Sequence, residues 1–292
     1  MIAIMLALAL VGAQAETAAA PDPAPSEVPA ACQPDAAGQV DMQACADAAP
    51  EGSMPRALAL INLASRAYLE GDYPEALRLY DAAIPPGQAV SSDVVFHTFR
   101  ADTYAHVGRD EAARADAAFA WRILNGEVSP SGDPADDMPI TDQLRFEVLI
   151  RVLPILQDGD PEVFARAKAV MLALPATDGV ALTNRAAMLN GLGEHEAAVA
   201  DSRRALALLP TELGVLNNHC FVLAEAGLAA ESLPQCQAAV AAAPDVAGVR
   251  HSYATALAAL GRCPDAEREL AEARRLDPSS AEYAKPLACA AA

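Results

Sequence analysis

The chain has 292 residues, 53% of them hydrophobic and only 4% aromatic, and 39 acids against 20 bases leave a formal net charge of −19. Such an acidic chain is a poor match for nucleic acid, where Lys and Arg on phosphates dominate binding, and it is repelled by an anionic membrane surface. An apolar content this rich in Ala and this poor in rings suits closely packed helices.

In chain order, Met1 to Leu10 form an apolar run, and Val11-Gly12-Ala13-Gln14-Ala15 supplies an Ala-x-Ala pattern. Residues 1–15 therefore read as a secretory signal peptide cleaved after Ala15, although no Lys or Arg precedes the run. The run is too short to span a bilayer, which takes ~20 residues. Residues 16–55 carry seven acids, no base and many Pro and Ala. Such a segment buries too little apolar surface to offset its ordering entropy, and it reads as a disordered tether.

Helical pattern begins at Arg56. Residues 56–127 read as two helix pairs, the first turning at Gly71-Asp72 and the second at Gly108. A polar break from Val128 to Pro134 is a loop by its turn chemistry. Residues 140–175 read as a degenerate pair divided around Gly159-Asp160-Pro161, with Asp160 as the cap of the second helix and Pro161 at its first position. From 179 to 280 a strict beat sets in. Gly193, Gly227 and Gly261 are 34 apart, as are Pro210, Pro244 and Pro278, Ala205, Ala239 and Ala273, and Leu189, Leu223 and Leu257. A fixed period of this length marks stacked repeats. Residues 281–292 read as a final helix capping the stack.

These residues resemble the tetratricopeptide repeat family, whose unit is a pair of antiparallel helices. Small residues fall where that family places them: Ala64, Ala76 and Ala83, then Ala101, Ala113 and Ala120, and in the regular block Ala186, Ala198 and Ala205, Cys220, Ser232 and Ala239, Ala254, Ala266 and Ala273. The 140–175 pair has no small residue near Arg151, where the first is due. The resemblance implies an all-α superhelix, a solenoid of antiparallel helix pairs behind the disordered tether. It also implies a concave groove lined by the first helix of each unit. In this sequence the inward positions hold Asn62, Ser65 and Tyr68, then Thr183, Asn184 and Asn190, Asn217, Asn218 and Phe221, and His251, Ser252 and Thr255. Asn62, Asn184 and Asn218 occupy one repeated position, and a ladder of amides offers donors and acceptors to an extended peptide backbone. Family members that clamp a C-terminal carboxylate use Lys and Arg in this wall; no Lys stands at the matching positions.

The six cysteines, Cys32, Cys45, Cys220, Cys236, Cys263 and Cys289, form an even set without Cys-x-x-Cys, which fits disulfides in an oxidising compartment. Cys220 and Cys236 fall opposite each other in one hairpin. Cys32 and Cys45 would close a loop in the tether. Cys263 and Cys289 would pin the cap, although an ideal helix leaves them offset by a turn or more.

His97, His106, His195, His219 and His251 form no metal-binding cluster, and no nucleophile or phosphate-cradling motif is present. The trio Glu194, His195 and Glu196 reads as a solvated helix start. The sequence thus leads to an exported bacterial scaffold, periplasmic or secreted. It is expected to bind a protein or peptide without catalysis, cofactor, nucleic acid or membrane insertion once the leader is removed, and its charge favours cationic partners. A self-assembling envelope module, or an envelope enzyme with an unrecognised site, is the alternative.

Overall fold

The computed structural model describes residues 28–36, 38–83, 94–129 and 139–290. The expected leader, the start of the tether and the expected loop from residue 130 onward lie outside them. The described residues form fourteen α-helices and no strand, in two compact units divided between Ala89 and Val90.

The first unit holds a 3-10 turn at Ala30–Cys32 and helices α1 (Met42–Ala48), α2 (Met54–Glu70) and α3 (Tyr73–Ala83). The tether reading does not hold for its described part. Asp41 caps α1 by accepting from the Ala44 N–H at 3.0 Å. Cys45, Ala46 and Ala49 are buried, and Arg56 of α2 donates to the carbonyls of Ala46 and Ala49. The Cys32–Cys45 disulfide closes this segment. A cross-link removes ordering entropy that composition alone counts against such a stretch. Beyond it, α2 packs on α3, and Ala64 and Ala76 have no exposed surface.

The second unit runs through α4 (Val94–His106), α5 (Asp110–Leu124), α6 (Asp142–Leu156), α7 (Pro161–Ala173), α8 (Gly179–Gly191), α9 (His195–Leu208), α10 (Leu213–Glu225), α11 (Ala229–Ala242), α12 (Ala247–Ala259), α13 (Cys263–Leu276) and α14 (Ala281–Ala284). Consecutive helices pair as hairpins, and the first helices stack in the order α4, α6, α8, α10, α12. The regular turns follow from their glycines. Gly193 sits at φ +77°, a left-handed conformation that costs a side chain with a Cβ, and Gly227 and Gly261 repeat it. Helices α9, α11 and α13 each stop two residues before Pro210, Pro244 and Pro278, because proline disfavours helix at the residue ahead of it.

The small positions lie where the hairpin helices cross: Ala186, Ala198, Ser232 and Ala254 have no exposed surface. The degenerate pair is built differently. Asp160 caps α7 as expected, accepting from Glu162 and Val163, but α6 fills the core with Val148, Leu149, Val152, Leu153 and Leu156 against Trp121 and Met171. Bulky aliphatics fill this layer in place of close-packed alanines.

All three expected cysteine pairs are bonded, with Cα–Cα distances of 4.5 Å for Cys32–Cys45, 4.9 Å for Cys220–Cys236 and 5.7 Å for Cys263–Cys289. The last is made possible by a departure from the expected cap. Helix α14 has only four residues, because Pro286 holds Lys285 in an extended conformation. The chain then runs extended, Leu287 packs on Leu257, Ala258 and Ala266, and the Ala290 N–H donates to the Ala258 carbonyl at 3.0 Å. That path removes the helical offset and brings Cys289 to Cys263.

Candidate functional site

The expected inward wall is only partly presented. In the first unit Asn62 donates to the Leu58 carbonyl at 2.8 Å, and Tyr68 meets Tyr73 edge-on, with centroids 5.6 Å apart. In the second unit Thr183, Ser252 and Thr255 turn their hydroxyls onto carbonyls four residues back, at 2.7, 2.9 and 3.0 Å. Self-bonding of this kind is the usual fate of a hydroxyl inside a helix. Ser252 and Thr255 are buried besides, so they offer no free group to a ligand. His251 is likewise covered, its ring lying 6.0 Å from Phe221 and 5.0 Å from Tyr283 of α14. The cap therefore occupies the α12 end of the wall. Asn217 and Asn218 are half-buried and Asn184 is exposed. The Asn217 Oδ1 is buried without a hydrogen-bond partner among the described residues.

The open part of the second unit lies elsewhere. A cleft of about 590 Å³ is lined by Asp102 and Ala105 of α4, Asp110, Ala113 and Arg114 of α5, Ile150, Arg151, Pro154 and Ile155 of α6, Asp158, and Asn184 and Ala187 of α8. Its place in the fold follows from the stacking of α4, α6 and α8. The hairpin turns bring the start of α5 and the end of α6 to one rim. Of the expected groove residues only Asn184 belongs to it. Its floor is apolar, through Ile150, Pro154, Ile155 and three alanines, and its rim carries three carboxylates and two guanidinium groups. Arg151 lies over the Phe99 ring at 4.8 Å and donates one N–H to the Glu147 carbonyl at 2.8 Å. Sequence reasoning missed this lining because its largest share, from Ile150 to Asp158, falls in the pair that departs from the repeat, and that departure was the one signal pointing to it.

Two buried clamps hold the wall. Arg185 of α8 makes a bidentate pair with Asp201 of α9, at 2.6 and 3.0 Å, and donates to the Leu174 carbonyl at 2.7 Å. Arg100 of α4 grips Asp116 of α5 in the same way, at 2.6 and 2.9 Å, with His97 Nδ1 3.1 Å from the same carboxylate. Burial pushes the Asp116 carboxyl upward, but the hydrogen bonds from His97 and Arg100 outweigh it and hold the group below the usual aspartate value. The Glu194–His195–Glu196 trio does not act together: Glu194 pairs with Lys168, and His195 meets Asn190 at 3.0 Å. Among the described residues no three His, Cys, Asp or Glu side chains converge as metal ligands would.

Neither family models nor curated proteins give a match to this sequence. Solved structures do. A tetratricopeptide repeat protein from Parabacteroides merdae matches with a TM-score of 0.55 and 14% identity, over 80% of this chain and 83% of that one. PilW, a widely conserved type IV pilus biogenesis factor, matches with a TM-score of 0.51 and 17% identity, over 78% of this chain and 96% of that one. The Cut9–Hcn1 hetero-tetramer of APC/C matches with a TM-score of 0.53 and 13% identity, over 83% of this chain and 43% of that one. At such identities the likeness is one of fold, and it defines an all-α stack of antiparallel helix hairpins. That fold is the tetratricopeptide-repeat solenoid.

Proposed function

We propose that this chain is an exported, non-catalytic scaffold that holds an extended segment of a partner protein in the cleft between α4, α6 and α8. The cleft carries the reading. It is an open concavity of about 590 Å³ with an apolar floor and a charged rim, which is the lining that orients a ligand while burying its side chains. Asn184 supplies an amide for the partner's backbone, and Asn217 and Asn218 extend the amide row toward α10. Export is supported by three disulfides that take up all six cysteines, since such bonds persist in oxidising compartments. No helix among the described residues is long and apolar enough to cross a membrane. The net charge of −19 would draw segments of net positive charge toward the groove.

The test places a photoreactive side chain at Ala187, inside the cleft, or at Gln237, an exposed position on α11. After irradiation in living cells, a defined partner peptide should be recovered from the Ala187 probe and not from Gln237. Equal labelling from both positions, or none from Ala187, would remove the cleft from the account.

A further inference from the structure

We infer that the partner segment places a carboxylate side chain between Arg114 and Arg151, so that one acidic residue fixes its register in the cleft. This rests on the cleft reading proposed above.

A guanidinium carries five donors and no acceptor, and a carboxylate matches its fork in bidentate geometry. In a chain with 39 acids and 20 bases, an arginine rarely lacks such a partner. From Arg114 to Arg275, every other arginine lies within ion-pairing reach of a carboxylate. Arg114 and Arg151 have none among the described residues, and both line the same cleft. They are half-buried and held in place. The Arg114 stem packs beside Gly159, where an added Cβ would lie 3.8 Å from its Cδ. Arg151 rests on Phe99 and spends one N–H on the Glu147 carbonyl, which leaves most of its fork uncommitted. Partial burial without an anion is costly, and an incoming carboxylate relieves that cost at both groups.

Position selects a side-chain carboxylate over a chain terminus. Arg151 is on α6, the middle of the three stacked helices, and Arg114 is on α5, which packs against both α4 and α6. The lining continues to Asp102 and Ala105 on one side and to Asn184 and Ala187 on the other. A segment that fills the cleft therefore runs past the arginines in both directions, and the residue facing them is internal. Ile150, Pro154 and Ile155 take its apolar neighbours, while Asp110 and Asp158, on the same rim as Arg114, and Asp102 take its basic residues. The partner is thus a segment of net positive charge interrupted by one Asp or Glu.

The experiment uses the full oxidised chain and a library of short peptides blocked at both ends, so that the only carboxylates are side chains. The wild type should select Asp or Glu at one fixed position between apolar residues, with Lys or Arg enriched elsewhere in the peptide. Arg114→Gln with Arg151→Gln should cut the acidic preference by about tenfold or more while leaving the far-ultraviolet dichroism unchanged. Arg114→Glu with Arg151→Glu should turn the preference at that position to Lys or Arg. Selection of peptides with no fixed acidic position overturns the inference, as does an acidic preference that survives in the glutamine variant. Tighter binding of the same library with free C-termini assigns the arginines to a terminal carboxylate and also overturns it. Retention of no peptide at all removes the cleft reading as well, whereas retention without an acidic position removes this inference alone.

Discussion

Arg185 shows how a single side chain organises this fold. Its exposure is 6%, that of Asp201 is 5%, and its remaining N–H groups reach carbonyls at the end of α7. Removing one member of a buried pair typically costs about 3–5 kcal/mol, and here it would leave the buried Asp201 with only the exposed Arg204, 3.5 Å from its Oδ1. Arg185→Ala should therefore lower stability by about that amount in urea titration. Arg203→Ala, which breaks an equally short but exposed pair with Glu231, should move the midpoint little; comparable shifts would refute the argument from burial. His219 and His251 set a second dependence. Burial holds both below the ordinary histidine value of 6.5, against the opposing pull of Glu231 on the first and of Glu282 and Glu225 on the second. As pH falls through 6.5, the unfolded chain takes up protons that the folded chain does not, so stability falls with pH. The melting temperature should decline from about pH 7.5 to 5.5, and His219→Gln with His251→Asn should flatten that slope. An unchanged slope would place the titration elsewhere.

At the scale of the helix, what was legible in the sequence was what geometry repeats. The left-handed turns demand Gly193, Gly227 and Gly261, the helix ends stand ahead of Pro210, Pro244 and Pro278, and the crossings admit only small residues, so the same types recur every 34 residues. Ala186→Leu would insert bulk at a crossing with no exposed surface and should cost ~1–3 kcal/mol; a neutral result would mean that α8 and α9 can separate freely. A second regularity was present but faint. Arg100–Asp116, Arg185–Asp201 and Cys220–Cys236 are each 16 residues apart, because that separation sets two side chains opposite each other across a hairpin. The cysteines announced it and the arginines did not, since arginine and aspartate are common on any solvated face. The cleft was illegible for a related reason. Apart from Ala113 and Asn184 its residues follow no period, and which carboxylate an arginine finds depends on stacking between hairpins. The hydroxyls of Ser252 and Thr255 misled because position on a helix face does not fix where a hydroxyl bonds. The cap departs from a full helix because Pro286 stops α14 at Ala284. Its consequence is testable: Cys263 and Cys289 are exposed while Cys220 and Cys236 are each 1% exposed. Under native conditions a reductant followed by an alkylating agent should label the first pair well before the second, and simultaneous labelling would show that α12 and α13 open together with α10 and α11.

At the scale of the whole molecule, two electrostatic effects oppose each other. The chain carries a net charge of −19, and like charges at this density repel across the folded surface. It also carries many short exposed ion pairs, such as Arg203–Glu231 and Arg275–Glu272. Salt screens both. Raising ionic strength from 0.01 M to 1 M shortens the Debye length from about 30 Å to 3 Å, which removes the diffuse repulsion almost entirely. The exposed pairs lose less, because partners in contact are already inside the screening length and such pairs add little to stability at the outset. The clamps at Arg185–Asp201 and Arg100–Asp116 are largely shielded from the solvent ions. Relief of repulsion should therefore win, and the melting temperature should rise with sodium chloride. Affinity for a segment of net positive charge should move the other way, since screening removes the attraction that steers it in. A melting temperature that fell with salt would show that surface pairing outweighs self-repulsion. An affinity unmoved by salt would confine recognition to contacts inside the cleft.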